Sequence, residues 1–198
     1  MLDSPLRVEP LGPSLGEARL DTFVWGGVRA DLAVWLDRSG DKIVVRSRVR
    51  QEADGVRRRV RVRSVIEDDV PVELDRTVFE LHPDRFVELP PAEVDGAARS
   101  IELPAVLRRD QPVRPLGEDS QTVTLRFAGR ARLRVGGIEA ERDALLLRLG
   151  DEDGGWDQWM VAGVGEVSLG PANQAPHRWL VAWKAGDNSD LLFAAPRT

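Results

Sequence analysis

The chain contains no cysteine and no tyrosine, two histidines, two methionines and only two lysines, Lys42 and Lys184. Without cysteine this sequence can hold no disulfide, thiolate metal centre, cysteine nucleophile or lipobox, a condition that fits any compartment. The histidines, His82 and His177, stand 95 positions apart, and neither sits in an HxH or HExxH context. Their number excludes a His/Cys metal site and leaves acid–base hydrolysis without a constellation. No apolar run approaches the roughly 20 residues of a membrane-spanning helix. The N-terminal MLDSPLRVEPLGPSLGEARL lacks a basic stretch followed by an apolar one, so no signal peptide is expected in it. Net charge is −5 and the pI about 5.2, which rules out a generic polyanion binder and makes any basic function local. The 198 residues suit one domain with a sizeable core.

What the sequence has in abundance is β alternation. Residues 43–66, IVVRSRVRQEADGVRRRVRVRSVI, alternate branched apolar residues with arginines on both sides of Asp54-Gly55. An Asp-Gly pair between two such runs is a strong hairpin signal, because a type I′ turn needs positive φ at both central residues. A two-residue turn there sets Arg50 opposite Arg59, Arg48 opposite Arg61, Arg46 opposite Arg63 and Val49 opposite Val60. One face becomes apolar and the other an arginine ladder.

Residues 28–37 alternate strictly, with Val28, Ala30, Leu32, Val34 and Leu36 on one side. A two-residue turn at Ser39-Gly40 sets Leu36 against Ile43, Val34 against Val45 and Asp31 against Arg48. After the acidic 67–69 loop, taken as three residues, a strand over 70–80 sets Val72 and Leu74 opposite Ser64 and Val62. It also sets Glu73 opposite Arg63 and Asp75 opposite Arg61.

Residues 1–19 read as an extended lead-in with room for one edge strand, and 20–198 as one β domain. Within it, 20–25 reads as a first strand broken by Gly26-Gly27. Prolines at 83, 90, 91, 104, 112 and 115 make 81–120 an irregular insertion holding only short strands, at 86–87, 101–103 and 105–107. From 121 the alternation resumes, with turns expected at Ala128-Gly129 and Gly136-Gly137. Residues 141–149 fit a strand better than a helix, and 156–169, 177–185 and 191–195 supply the last strands. The expectation is an all-β fold: an antiparallel meander of about 10–12 strands curled into a half-barrel or open barrel.

Candidate chemistry is sparse. A G-x-S-x-G occurs at Gly12–Gly16 around Ser14, but it lies in the lead-in, without the strand before and helix after that a nucleophile elbow requires. Asp151, Glu152, Asp153 and Asp157 could offer oxygen ligands to calcium, yet lack the spaced EF-hand pattern. They read as a solvated loop. Gly163-Val164-Gly165 with Gly170 lacks the following helix of a phosphate loop and reads as a bulge in a continuing strand. No cofactor is expected, nor an enzymatic activity.

Two surfaces remain. In a regular strand Trp179, Val181 and Trp183 share a face. With Trp25 and Trp159 they are the candidate apolar ligand site, weighed against plain core. Arg46, Arg48, Arg50, Arg59, Arg61 and Arg63 are the candidate anion site, flanked by Arg29 and Arg57. Against them stand Asp31, Glu52, Glu73 and Asp75, so a salt-bridged outer face competes with an anion, headgroup or nucleic-acid surface.

The segment WDQWMVAGVGEVSLG, followed by HRWLVAWKA, resembles a group of uncharacterised bacterial β-rich envelope proteins. In these a strand reading aromatic-x-x-(Ala/Pro)-Gly-Val-Gly-x-Val closes a curved sheet. The matching residues are Trp159, Ala162, Gly163, Val164, Gly165 and Val167, and the resemblance covers about 70 residues. Some of those proteins look like the LolA/LolB lipoprotein carriers, half-barrels with an apolar concavity. The resemblance implies a non-enzymatic protein holding an apolar or amphiphilic, lipid-like ligand, or an envelope scaffold, although this sequence lacks the signal peptide and lipobox of that group. A nucleic-acid or polyanion module using the arginine face is the alternative, and a subunit pairing through an edge strand a third. Oligomeric state and compartment stay open.

Overall fold

The computed structural model describes residues 6–24, 30–37, 42–51, 56–67, 70–89, 101–115, 121–135, 138–150 and 154–185. In chain order the elements are β1 (Arg7–Pro10), β2 (Glu17–Arg19), α1 (Leu20–Val24), β3 (Ala30–Asp37), β4 (Lys42–Gln51), β5 (Arg57–Glu67) and β6 (Val70–Leu81). There follow β7 (Arg85–Leu89), β8 (Ile101–Pro104), β9 (Val106–Arg108), β10 (Pro112–Val113), β11 (Val123–Val135), β12 (Ile138–Leu149), β13 (Trp156–Val161), β14 (Gly165–Pro171) and β15 (Arg178–Ala185). The fold is all-β and curled into a half-barrel, as the alternation implied.

Among the described residues thirteen strands share one sheet, in the order β1-β11-β12-β13-β14-β15-β3-β4-β5-β6-β7-β8, with β10 beside β11. It consists of two meanders, β3–β8 and β11–β15, stitched together by antiparallel pairing of β15 with β3. Strands β2 and β9 form a separate two-stranded ribbon.

The registers differ from the sequence-based ones by a single residue in β3–β4, in β4–β5 and at the start of β5–β6, which is enough to exchange faces. Leu36 pairs with Lys42 and Gln51 with Arg57, so the last pairs enclose 37–41 and 52–56, odd numbers of residues where two were expected. Val34 therefore lies opposite Val44, Leu32 opposite Arg46 and Asp31 opposite Ser47. In the next hairpin Val49 lies opposite Arg59, Ser47 opposite Arg61 and Val45 opposite Arg63. Between β5 and β6 the pair Glu67↔Val70 encloses only 68–69, and a bulge then leaves Leu74 unpaired. Glu73 consequently faces Ser64, and Asp75 faces Arg63.

Three elements also depart from expectation. Residues 20–24 form α1 and not a strand, because Leu20 and Phe23, three positions apart, bury together on one side of a helical turn. Ala128-Gly129 is no turn: β11 runs straight through it, with Gly129 opposite Ala144. The lead-in explains why. Leu11 and Leu15 donate their N–H groups to the carbonyls of Arg130 and Ala128, at 2.9 and 2.7 Å. This draws the Pro13 carbonyl to where a Cβ on residue 129 would stand 3.5 Å from it. Finally, 156–169 is a tight hairpin and not one strand. Gly163 (φ 80°) and Gly165 (φ 94°) adopt the left-handed backbone that closes the turn between Val161 and Gly165.

The run Ala144-Leu145-Leu146-Leu147 explains the architecture. Ala144 and the half-buried Leu146 pack into one core cluster, Leu145 and Leu147 into the other. A strand buried on both faces loses the polar half of its alternation, which is why 141–149 was ambiguous in sequence. The first cluster spans β1 and β11–β15: Leu6, Phe127, Leu133, Val161, Val167 and Trp179 lie at its heart. Among the described residues no helical side chain belongs to this cluster. The second cluster brings Phe79, Leu81, Phe86 and Leu103 of β6–β8 against Leu125, Leu145, Leu147 and Met160, with Ala18, Leu20, Phe23 and Leu107 between them.

Gly170 pairs with Asp157 in β14, and a Cβ there would stand 2.5 Å from Pro176 Cα and 2.8 Å from His177 N. Backbone cannot yield as a flexible side chain can. Gly170→Ala is expected to lower stability by about 1–3 kcal/mol, read as a fall in the urea midpoint. An unchanged midpoint contradicts the close approach.

Candidate functional site

The bulge in β15 decides where the tryptophans stand. Leu180 pairs with Trp35 and Ala182 with Val34, so Val181 is the extra residue. Trp179 then lies opposite Leu36 and Trp183 opposite Ala33, positions on opposite faces of β3. The regular strand that would have put Trp179, Val181 and Trp183 together is thus broken. Trp25 lies outside the described residues.

Trp159 and Trp179 do come together. A second bulge, at Val167, lets Trp159 pair with Ser168, and Ser168 pairs in turn with Trp179. On the other side Trp159 faces Leu146, which faces Phe127. One cross-strand row therefore reads Phe127, Leu146, Trp159, Ser168, Trp179, and its apolar members belong to or pack against the cluster of β1 and β11–β15. The Phe127 and Trp159 rings are tilted at 5.8 Å between centroids. Trp179 is 0% exposed, Ser168 is buried, and Trp159 is half-buried. The Trp179 Nε1–H is buried and has no hydrogen-bond acceptor. Phe127, Leu146 and Ser168 escaped sequence reading because bulges at 125/127 and 159/160 displace the simple register.

The arginine candidates separate. Arg46, Arg48 and Arg50 stand opposite Val62, Val60 and Arg58, on one face; Arg59, Arg61 and Arg63 stand opposite Val49, Ser47 and Val45, on the other. The six arginines form no single ladder, because the first row meets Val62, Val60 and Arg58 and the second Val49, Ser47 and Val45, and neither meets the other. The Arg61 guanidinium lies over the Phe79 ring at 4.6 Å and 3.8 Å from Glu88, Arg59 is buried, and Arg63 faces Asp75. Arg58, opposite Arg50, is held by Glu80 at 2.6 Å, which offsets that like-charge pair. Glu73 bridges to Arg76 at 3.2 Å, and Arg57 lies 3.8 Å from Asp21. Arg29 and Glu52 lie outside the described residues.

Other candidate groups have structural employment. Asp157 accepts a two-pronged hydrogen bond from the buried Arg148, at 2.6 and 3.3 Å, and another from the Asn173 N–H at 3.0 Å. Its oxygens hold the β12–β13 pair and the 172–174 turn in place. Ser14 Oγ accepts from the Ala128 N–H and donates to the Leu15 carbonyl, clipping the lead-in to β11. His177 meets the Trp156 ring edge-on at 5.2 Å. The residues Asp151, Glu152 and Asp153 lie outside the described set.

His82 lies 3.1 Å from the second oxygen of Glu80, so Glu80 is gripped from both sides. The Arg58 hydrogen bond, helped by His82 and opposed by burial, holds the Glu80 carboxyl below its ordinary value of 4.5. A carboxyl whose folded pKa is depressed stabilises the fold above its unfolded pKa, and that contribution is lost as pH falls through the lowered value. Wild-type and Glu80→Gln melting temperatures should therefore separate near neutrality and converge in acid. A constant difference across pH contradicts the assignment.

No protein-family model matches the chain, and no curated protein or solved structure is significantly similar to it.

Proposed function

We propose that this is a non-enzymatic binding or scaffold protein that holds an apolar or amphiphilic ligand against the inner face of the half-barrel formed by β1 and β11–β15. The observation that carries this reading is the apolar row on that face. Phe127, Leu146, Trp159 and Trp179 line up across consecutive strands, with Ser168 as the one polar member. An apolar wall with a few convergent polar groups is the usual make-up of a small-molecule site, and a curled sheet can admit a chain by opening along its strands. The resemblance to LolA/LolB-like carriers agrees with it and is the sole basis for an envelope setting.

The competing polyanion reading is weakened by the splitting of the arginines between two faces and by the ion pairs of Arg58 with Glu80 and of Arg61 with Glu88. Native mass spectrometry of freshly purified protein should show a co-purified adduct, and a fluorescent fatty-acid probe should bind in a manner insensitive to salt. An adduct-free mass with no probe binding would end the carrier reading. Steeply salt-dependent binding of a single-stranded oligonucleotide would favour the arginine surface instead.

A further inference from the structure

We infer that the ligand of the half-barrel is a neutral amphiphile bearing a hydrogen-bond acceptor, such as an acyl ester or amide, anchored by the indole N–H of Trp179. The inference rests on the carrier reading and names the chemistry of the same site.

Trp179 is 0% exposed, yet its Nε1–H meets no acceptor. Indole N–H groups that are buried ordinarily find a partner, and an unpaired buried donor is costly enough to require an explanation. Among the described residues no side chain accepts from it. Its core companions Phe127, Leu133, Ala144, Val161, Val164 and Val167 are all apolar, and an apolar ligand tail would leave the donor as it is.

The polar end of a ligand would complete it. Ser168, buried and directly opposite Trp179 in the β14–β15 register, puts a second polar side chain on the same row. The acceptor should be neutral. Arg178, the nearest cation in the chain, pairs with Asp37, and Trp179 pairs with Leu36, so the two occupy opposite faces of the strand. The Arg178 guanidinium is also bound to Glu166 at 2.9 Å. A carboxylate at Trp179 would be a charge buried against an apolar cluster, whereas an ester or amide carbonyl costs far less to desolvate.

Methyl dodecanoate and dodecane separate these possibilities, since they share a chain and differ in the acceptor. Titrated into ¹⁵N-labelled protein, methyl dodecanoate should move the Trp179 indole cross-peak, identified by its loss in Trp179→Phe, to lower field; dodecane should not. Trp179→Phe should weaken methyl dodecanoate binding about tenfold more than it weakens dodecane binding, a difference equivalent to about 1.4 kcal/mol. A Trp179 cross-peak that is indifferent to bound methyl dodecanoate overturns the anchor while the carrier reading stands. Should the variant fold poorly, wild-type spectra still decide the matter: an anchor requires one indole cross-peak to shift with the ester and not with the alkane. Binding of neither probe removes the carrier reading, and this inference with it.

Discussion

The period of two along a β-strand is the constraint on which the rest of this structure depends. Each residue of shift moves a strand's entire side-chain pattern to the other face, and the chain makes such shifts at several places. Odd enclosures close the β3–β4 and β4–β5 hairpins, and bulges interrupt β5–β6, β11–β12, β13–β14 and β15–β3. Bulges also bend and twist the strands that carry them. The same irregularities therefore curl the sheet and choose which side chains meet inside it. Trp159, Ser168 and Trp179 form a row only because Val167 is skipped, and Trp183 leaves that row only because Val181 is.

Burial on both faces of β12 joins the two halves of the molecule. Leu145 and Leu147 contribute to the cluster shared with β6–β8, while Ala144 and Leu146 contribute to the cluster of β1 and β11–β15. Burying such side chains is worth about 1.5–3 kcal/mol each, so this strand belongs to two cores at once. Where the outer face of β11–β12 emerges from cover, it turns charged. Arg132 and Arg134 reach Glu139 and Glu141 across the hairpin at 2.8 to 3.0 Å. Exposed pairs of this kind contribute little stability, but they mark where the apolar cover ends.

Much of this fold was legible in the sequence. The alternation in 43–66 and 28–37 gives the strands, and Gly136-Gly137 falls between Val135 and Ile138, which pair. Among its described residues the proline-rich 81–120 segment holds only short strands, as its composition requires. Faces were less legible, for a physical reason. Alternating Val and Arg satisfy either neighbouring register almost equally well, and the Asp-Gly signal locates a turn without stating how many residues the strands leave unpaired around it. The α1 turn was hidden because Leu20, Phe23 and Val24 fit a short strand as readily as a helix. Continuity of β11 through Ala128-Gly129 depends on the lead-in, a contact made over more than a hundred residues. The candidate site shared this fate: its tryptophans were visible, but which of them share a face is set by two bulges that leave no mark on composition.

The register across β4–β5 is the most direct test, because it decides whether the six arginines form one surface or two. The absence of native cysteine makes the experiment clean. Val45 and Arg63 are paired positions, whereas Arg46 and Arg63 fall on opposite faces. A Val45→Cys/Arg63→Cys protein should oxidise readily to an intramolecular disulfide, since paired positions lie within the roughly 4.4–6.8 Å Cα separation such a bond requires. An Arg46→Cys/Arg63→Cys protein should stay reduced under the same conditions. The reverse outcome would restore the continuous arginine ladder and contradict the division of the arginines between two faces.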